Sequence, residues 1–193
     1  MQNFLKLGQG VAVIPLLLAI RRRPELWKED TYLRDYPQGP FAQIESIMLR
    51  FPVKSVHETE EALRDHLARY DQHESVDYPA YKTLPEARPI VMGLMNLVGG
   101  ERLGRVMINK IKPGGRIYPH ADTPEHANYY RRFHVVLESS PGVDFRCGEG
   151  DQAEHVYMAP GDIWWFNNKL EHEVVNNSAG DRIHMIVDIR VSE

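Results

Sequence analysis

The chain has 193 residues, 26% of them charged and 42% hydrophobic, with a formal net charge of -4. That length bounds it to one well-filled core, and the slightly acidic balance lacks the basic excess of a nucleic-acid binder. A single cysteine, Cys147, excludes an intramolecular disulfide and fits a reducing compartment, so the expected location is the cytoplasm.

The apolar stretch from Val11 to Ile20 is too short to span a bilayer. Its positive cluster, Arg21-Arg22-Arg23, follows rather than precedes it, unlike a secretory leader, and reads as a solvated helix end. No membrane partner is therefore expected. From Pro15, the pattern Leu16, Leu17, Ala19, Ile20 predicts a short core helix stopped by Pro24. Residues 24–43 read as irregular chain rich in proline, a segment that could also close over a pocket. Ile44 to Phe51 predicts a strand ended by Pro52. Ser55-Val56-His57-Glu58 matches a capping box, and Leu63, Leu67 and Tyr70 follow at helical spacing. His57, His66 and His73 are spread over this charged region without a carboxylate set, which favours solvent exposure over metal binding. A second helix is predicted from about Pro89 to Val98, stopped by Gly99-Gly100.

From about Arg105 the chain becomes a series of β-prone runs: 105–112, 115–119, 130–138, 143–147, 154–158, 162–167, 172–176 and 182–191. Turn clusters such as Pro113-Gly114-Gly115 and Ser139-Ser140-Pro141-Gly142 separate them. This spacing predicts a mainly β fold, a double-sheet, cupin-like jelly roll with the N-terminal helices packed outside. The expected organisation is a single domain over 1–193, helical in 1–104 and jelly-roll in 105–193.

Two constellations carry chemistry. In Tyr118-Pro119-His120-Ala121-Asp122 an imidazole and a carboxylate stand two residues apart beside an extended run, and i and i+2 share a strand face. With His172 from a distant strand they make a two-histidine, one-carboxylate metal face, although a His-x-Asp triplet alone recurs by chance. The second constellation is cationic. Along 182–190, Arg182, His184, Ile186 and Asp188 share one face, and along 132–138 so do Arg132, His134 and Val136. If those faces look inward, the guanidiniums need anions, supplied either by protein carboxylates such as Glu138 or Asp188 or by a ligand with two carboxylates.

The sequence also resembles the aspartyl/asparaginyl β-hydroxylase family of Fe(II)- and 2-oxoglutarate-dependent dioxygenases. The resemblance runs from about Val106 to Val191 through Ile111-Lys112-Pro113-Gly114-Gly115, Tyr118-Pro119-His120, Arg132-Phe133-His134, Pro160-Gly161-Asp162, His172-Glu173-Val174 and Arg182 to Asp188. It implies a double-stranded β-helix, Fe(II) held by His120 and His172, and 2-oxoglutarate held at its far carboxylate by Arg182. It also places Arg132 and His134 near the other carboxylate and Asn109 at a cosubstrate contact. Members acting on protein domains carry glycine where this chain has Asp122, which completes the metal face here but weakens transfer of their substrate. The implied reaction consumes O2 and 2-oxoglutarate, releases succinate and CO2, and hydroxylates a C–H bond of a peptide or protein side chain or a small molecule. No side chain beyond the metal ligands is needed for the chemistry. Asn128, Tyr129 and Arg131, following the metal motif, are candidates for the substrate rim. Two other classes share the fold: a cupin-like metal enzyme that is not an oxygenase, and a catalytically silent binding module.

Overall fold

A computed structural model describes residues 3–37, 39–53, 59–69 and 71–192. The helices are α1 (Ile14–Arg21), α2 (Leu26–Glu29), α3 (Tyr32–Asp35), α4 (Glu60–Arg69), α5 (Pro79–Thr83), α6 (Ala87–Leu97) and α7 (Pro124–Tyr129). The strands are β1 (Phe4–Gly8), β2 (Ile44–Phe51), β3 (Val76–Asp77), β4 (Gly100–Ile111), β5 (Arg116–His120), β6 (Arg131–Glu138), β7 (Val143–Cys147), β8 (Glu154–Val156), β9 (Ile163–Phe166), β10 (His172–Asn176) and β11 (Arg182–Val191). Among the described residues they form a seven-stranded sheet, ordered β1-β9-β6-β11-β4-β2-β3, facing a four-stranded sheet, ordered β5-β10-β7-β8. All the pairings are antiparallel. The fold is mainly β, a jelly roll with helices such as α1 and α6 packed on the outer face of the larger sheet. None of the described helices is long and apolar enough to cross a membrane.

The alternation along β11 sorts the interior into two layers. Ile183, Met185, Val187 and Ile189 join α1 and α6 residues such as Leu16, Ile20, Val91 and Leu94 in the core that seats the helices. The even positions turn the other way. Arg182, His184, Ile186 and Asp188 lie on the opposite face with their register partners Ile111, Asn109 and Met107 on β4 and His134 and Arg132 on β6. Beyond them, Ile117, Phe145, Cys147 and Val174 of the smaller sheet close the space between the sheets. At Gly104, a Cβ would stand 2.8 Å from the Tyr130 ring and 3.1 Å from the Asp188 carbonyl, so only glycine permits this approach at the β4 bulge.

Several elements differ from the sequence expectation. Residues 24–43 contain the one-turn helices α2 and α3, too short for periodicity to reveal. β1 and α5 were not anticipated, and β4 begins at Gly100 instead of 105, because Gly99, at φ 62°, absorbs the turn out of α6. Residues 124–129, for which no helix was expected, form α7, with Pro124 in its first turn. The capping box at 55–58, His57, Tyr70 and the side chains of Leu63, His66 and Leu67 lie outside the described residues.

Candidate active site

Antiparallel pairing of β5 with β10 sets His172 opposite His120, and Asp122 follows just past the end of β5. The ligand atoms of His120, Asp122 and His172 all lie within 4.8 Å of one another. Each imidazole is oriented by the carbonyl two residues before it: Nδ1–H of His120 donates to Tyr118 O at 2.8 Å, and Nδ1–H of His172 to Leu170 O at 2.9 Å. With the proton on Nδ1, both Nε2 lone pairs remain for a metal. Burial lowers both imidazole pKa values, that of His172 to about 4 with His120 also contributing, so both are neutral ligands at pH 7. Burial alone would raise the Asp122 carboxyl, but Arg132 and a bond from Asn168 outweigh it and hold it below its ordinary value. Those partners are close: Asn168 Nδ2 donates to Asp122 Oδ2 at 2.7 Å, and Arg132 Nη1 is 2.6 Å from the same oxygen.

This arrangement makes a direct prediction. His120→Ala or His172→Ala should abolish binding of a divalent ion while leaving the sheets intact, because two remaining ligands cannot define the octahedral face. Calorimetric Mn(II) titration beside far-ultraviolet circular dichroism reads both. Wild-type metal affinity in the two variants would remove these residues from the site.

On the facing sheet Arg182 is 0% exposed, and among the described residues its Nε, Nη1 and Nη2 have no hydrogen-bond partner. Its guanidinium lies 5.8 Å from the centre of the Phe145 ring. Burial pushes its pKa down to about 9. A fully buried cation without an acceptor is among the least stable arrangements a folded interior holds. Between the two sheets runs a cleft of about 590 Å³, counting the part open to solvent, whose lining includes the three metal-set residues, Asn109, Arg132, His134 and Phe145. Arg182 stands behind that wall, against Phe145.

The sequence model of the family described as Aspartyl/Asparaginyl beta-hydroxylase matches residues 60–191. The chain belongs to that family. Over 85 residues it is 26% identical to the L-proline cis-4-hydroxylase of Rhizobium meliloti (strain 1021), a stretch that covers 44% of this chain and 29% of that protein. The chain thus matches less than a third of the length of this curated relative. Among solved structures it resembles a Pseudomonas putida prolyl-4-hydroxylase, with TM-score 0.54 and 16% identity over 100% of this chain and 95% of that one. It also resembles AviO1 from Streptomyces viridochromogenes Tue57, with TM-score 0.56 and 13% identity over 97% and 89%. At such identities the likeness is one of fold.

Within this β-hydroxylase family member the other expected contacts separate. Arg132 lines the cleft, but its donors are committed to protein carboxylates. Besides the Asp122 contact, Nε donates to Asp188 Oδ1 at 2.8 Å and Nη2 to Asp188 Oδ2 at 3.0 Å. In this geometry it braces Asp188 and Asp122, while Glu138 pairs with Arg21 at 2.9 Å. His126 adds a third bond to Asp188, from Nε2 at 2.7 Å. Asn109 is buried in the cleft wall, its Oδ1 accepting from Ser46 Oγ at 2.9 Å, and His134 is buried in the same wall, on β6.

The substrate-rim candidates Asn128, Tyr129 and Arg131 are absent from the cleft lining and instead border a separate surface groove with Glu101 and Arg190. Tyr129 stacks on His73 with ring centres 3.6 Å apart and meets Arg102 and Arg190 through its hydroxyl. The short helix α7 carries this stretch to that groove. Residues 24–43 do reach the cleft. Leu33 and Phe41 line it, and the Phe41 ring stands edge-on to His120 at 5.1 Å. Pro40 O accepts from Tyr118 N at 3.0 Å, and Gln43 bonds both Arg116 N and the Tyr118 hydroxyl, so the segment is strapped to the ligand-bearing strand. Asn168 had no signal beyond its place in an Asn-Asn turn.

Proposed function

We propose that the protein is an Fe(II)- and 2-oxoglutarate-dependent dioxygenase that hydroxylates a C–H bond and releases succinate and CO2. One observation carries the reading: a His-Asp-His metal set lines an inter-sheet cleft, and behind its wall, against Phe145, stands a buried guanidinium with no hydrogen-bond partner among the described residues. Two neutral imidazoles and a carboxylate suit Fe(II) and leave positions for a chelating cosubstrate and O2. The orphaned guanidinium supports a ligand whose far end is a carboxylate. His120 and His172 would hold the metal through Nε2, with Asp122 completing the face, steadied by Asn168 and Arg132. Arg182 would take the far carboxylate of 2-oxoglutarate. When bound, Fe(II) supplies the redox chemistry that couples O2-dependent decarboxylation of 2-oxoglutarate to hydroxylation of the target.

The side chains around this centre exclude water and orient the target carbon. Phe145, Phe166, Ile117 and Val174 form an apolar inner wall that keeps the metal set dry. Together with Leu33, Phe41, Phe51, Met107 and Ile186 they make the lining largely apolar. That lining, with the likeness to an L-proline hydroxylase, supports an aliphatic carbon of a small molecule or peptide as the target. No general base is required, because hydrogen is taken from carbon as an atom. The test is succinate formation from 2-oxoglutarate with Fe(II) and O2, which proceeds even without the primary substrate. Iron- and oxygen-dependent turnover is the expected result. Its absence in metal-loaded protein would favour a non-oxygenase cupin or a silent binding module.

A further inference from the structure

We propose that His184 is a second donor to the far carboxylate of 2-oxoglutarate, standing beside Arg182 with its ring fixed by His134. The inference rests on the cosubstrate reading above, but its evidence is separate from the metal set. His184 is 1% exposed, and its Nε2 has no hydrogen-bond partner among the described residues. It follows Arg182 by two positions on β11, so the two side chains share a strand face. Their surroundings are otherwise satisfied. Asn109, opposite His184 on β4, is bonded to Ser46, and Arg132 has carboxylates on all sides. Buried polar atoms left unbonded are rare, and two such groups adjacent on one strand mark the place of one missing acceptor. An acceptor with two oxygens, which a carboxylate is, answers both.

The tautomers agree with this role. Nδ1 of His184 lies 3.3 Å from Nδ1 of His134, so a hydrogen bond there needs one proton between the two nitrogens. Burial, with Arg182 beside them, holds both imidazoles well below their ordinary pKa, so the pair is neutral. If His134 donates from Nδ1, the single proton of His184 resides on Nε2, which is the donor form a carboxylate requires. The opposite arrangement would leave a lone pair on Nε2, and no bond from Arg182 to that nitrogen is present. His134 is then the positioning residue and His184 the binding one.

The experiment uses the full chain loaded with Mn(II) under anaerobic conditions. It is titrated calorimetrically with 2-oxoglutarate and with 2-oxopentanoate, which has the same carbon chain without the far carboxylate. His184→Phe should weaken 2-oxoglutarate about tenfold, the effect of one lost bond to a charged group, and leave 2-oxopentanoate unchanged. His184→Gln, whose amide nitrogen reaches to where Nε2 stands, should recover most of the loss. His184→Asn keeps a partner for His134 but withdraws the far donor, so it should reproduce the loss, and it carries the test if phenylalanine is not accommodated. Unaltered 2-oxoglutarate affinity in the Phe or Asn variant, or equal weakening of both ligands, would overturn the proposal. If instead wild type fails to prefer 2-oxoglutarate over 2-oxopentanoate and Arg182→Met changes neither, the cosubstrate reading itself falls.

Discussion

Replacing Arg182 with methionine is expected to make the ligand-free protein more stable while crippling its hold on 2-oxoglutarate. Methionine keeps an unbranched stem near Phe145 and removes a guanidinium with no acceptor among the described residues. Relief of such unmet hydrogen bonding is worth about 1–3 kcal/mol, and more for a charged group, so denaturant melts should shift upward by at least about 1 kcal/mol. The sign depends on pH in a definite way. The folded-state pKa of Arg182 is depressed to about 9, so below that value the cation is buried at full penalty, and as pH rises through it the folded state sheds the proton while the unfolded chain keeps it. The advantage of the variant should therefore be full at pH 7 and shrink above about pH 9. In the metal-loaded protein the order reverses. The lost charge-assisted pair, about 1.5–3 kcal/mol, should raise the dissociation constant for 2-oxoglutarate at least about tenfold. A variant less stable than wild type without ligand would mean that Arg182 is paired with protein and serves structure alone.

Arg132→Met should do the opposite. Its guanidinium lies between Asp122 and Asp188, both close enough to bond, and Asp188 is wholly buried. Removing one partner from a buried pair strands the other charge and costs about 3–5 kcal/mol, enough to halve the stability of an ordinary domain. Metal binding should weaken too, because Asp122 loses one of the two partners that orient it, a loss of about 10–100-fold for such outer contacts. The acid limb of the stability curve gives an independent reading. Burial would raise the Asp188 carboxyl, but Arg132 and His126 overcome that and hold it far below the usual carboxylate range. A carboxyl depressed on folding contributes stability that is present above its unfolded value near about 4 and lost as pH falls below it. Wild type should therefore lose stability steeply below about pH 4, and the variant much less so. Melts of the two proteins from pH 7 to pH 2 decide it. An unchanged apo stability together with weakened 2-oxoglutarate binding would return Arg132 to the cosubstrate.

What the sequence made legible follows from which forces act locally. β2, β7, β10 and β11 are bounded by proline, glycine or asparagine turns, and the last three set successive side chains on two distinct faces, so the expected runs 44–51, 143–147, 172–176 and 182–191 coincide with the observed strands. β1 is a short run closed by Gly8-Gln9-Gly10, and what makes it a strand is the partner β9 that it pairs with. The same division runs through the site. Strand alternation assigned Arg132, His134, Arg182, His184 and Asp188 to one face, which local chemistry can do. Whether a guanidinium meets a protein carboxylate or a ligand is a matter of tertiary distance, and there Arg132 and Arg182 part company despite similar sequence surroundings. At Asn128 and Tyr129 one short helix outweighs a separation of a few residues from Asp122 and sets them on a groove apart from the cleft.

The strap of residues 40–43 over β5, with β2 seated between β4 and β3, bears on modularity. The family match begins at residue 60, yet the seven-stranded sheet takes β1 and β2 from before that point, and Phe41 leans on a metal-set histidine. A fragment cut at the family boundary would bare the flanks of β4 and β9 as unpaired edges and strip one wall from the cleft. The segment that kinship makes recognisable is therefore smaller than the segment that folds. Any transplant of this chemistry into another protein must carry the unrecognised leader along with it.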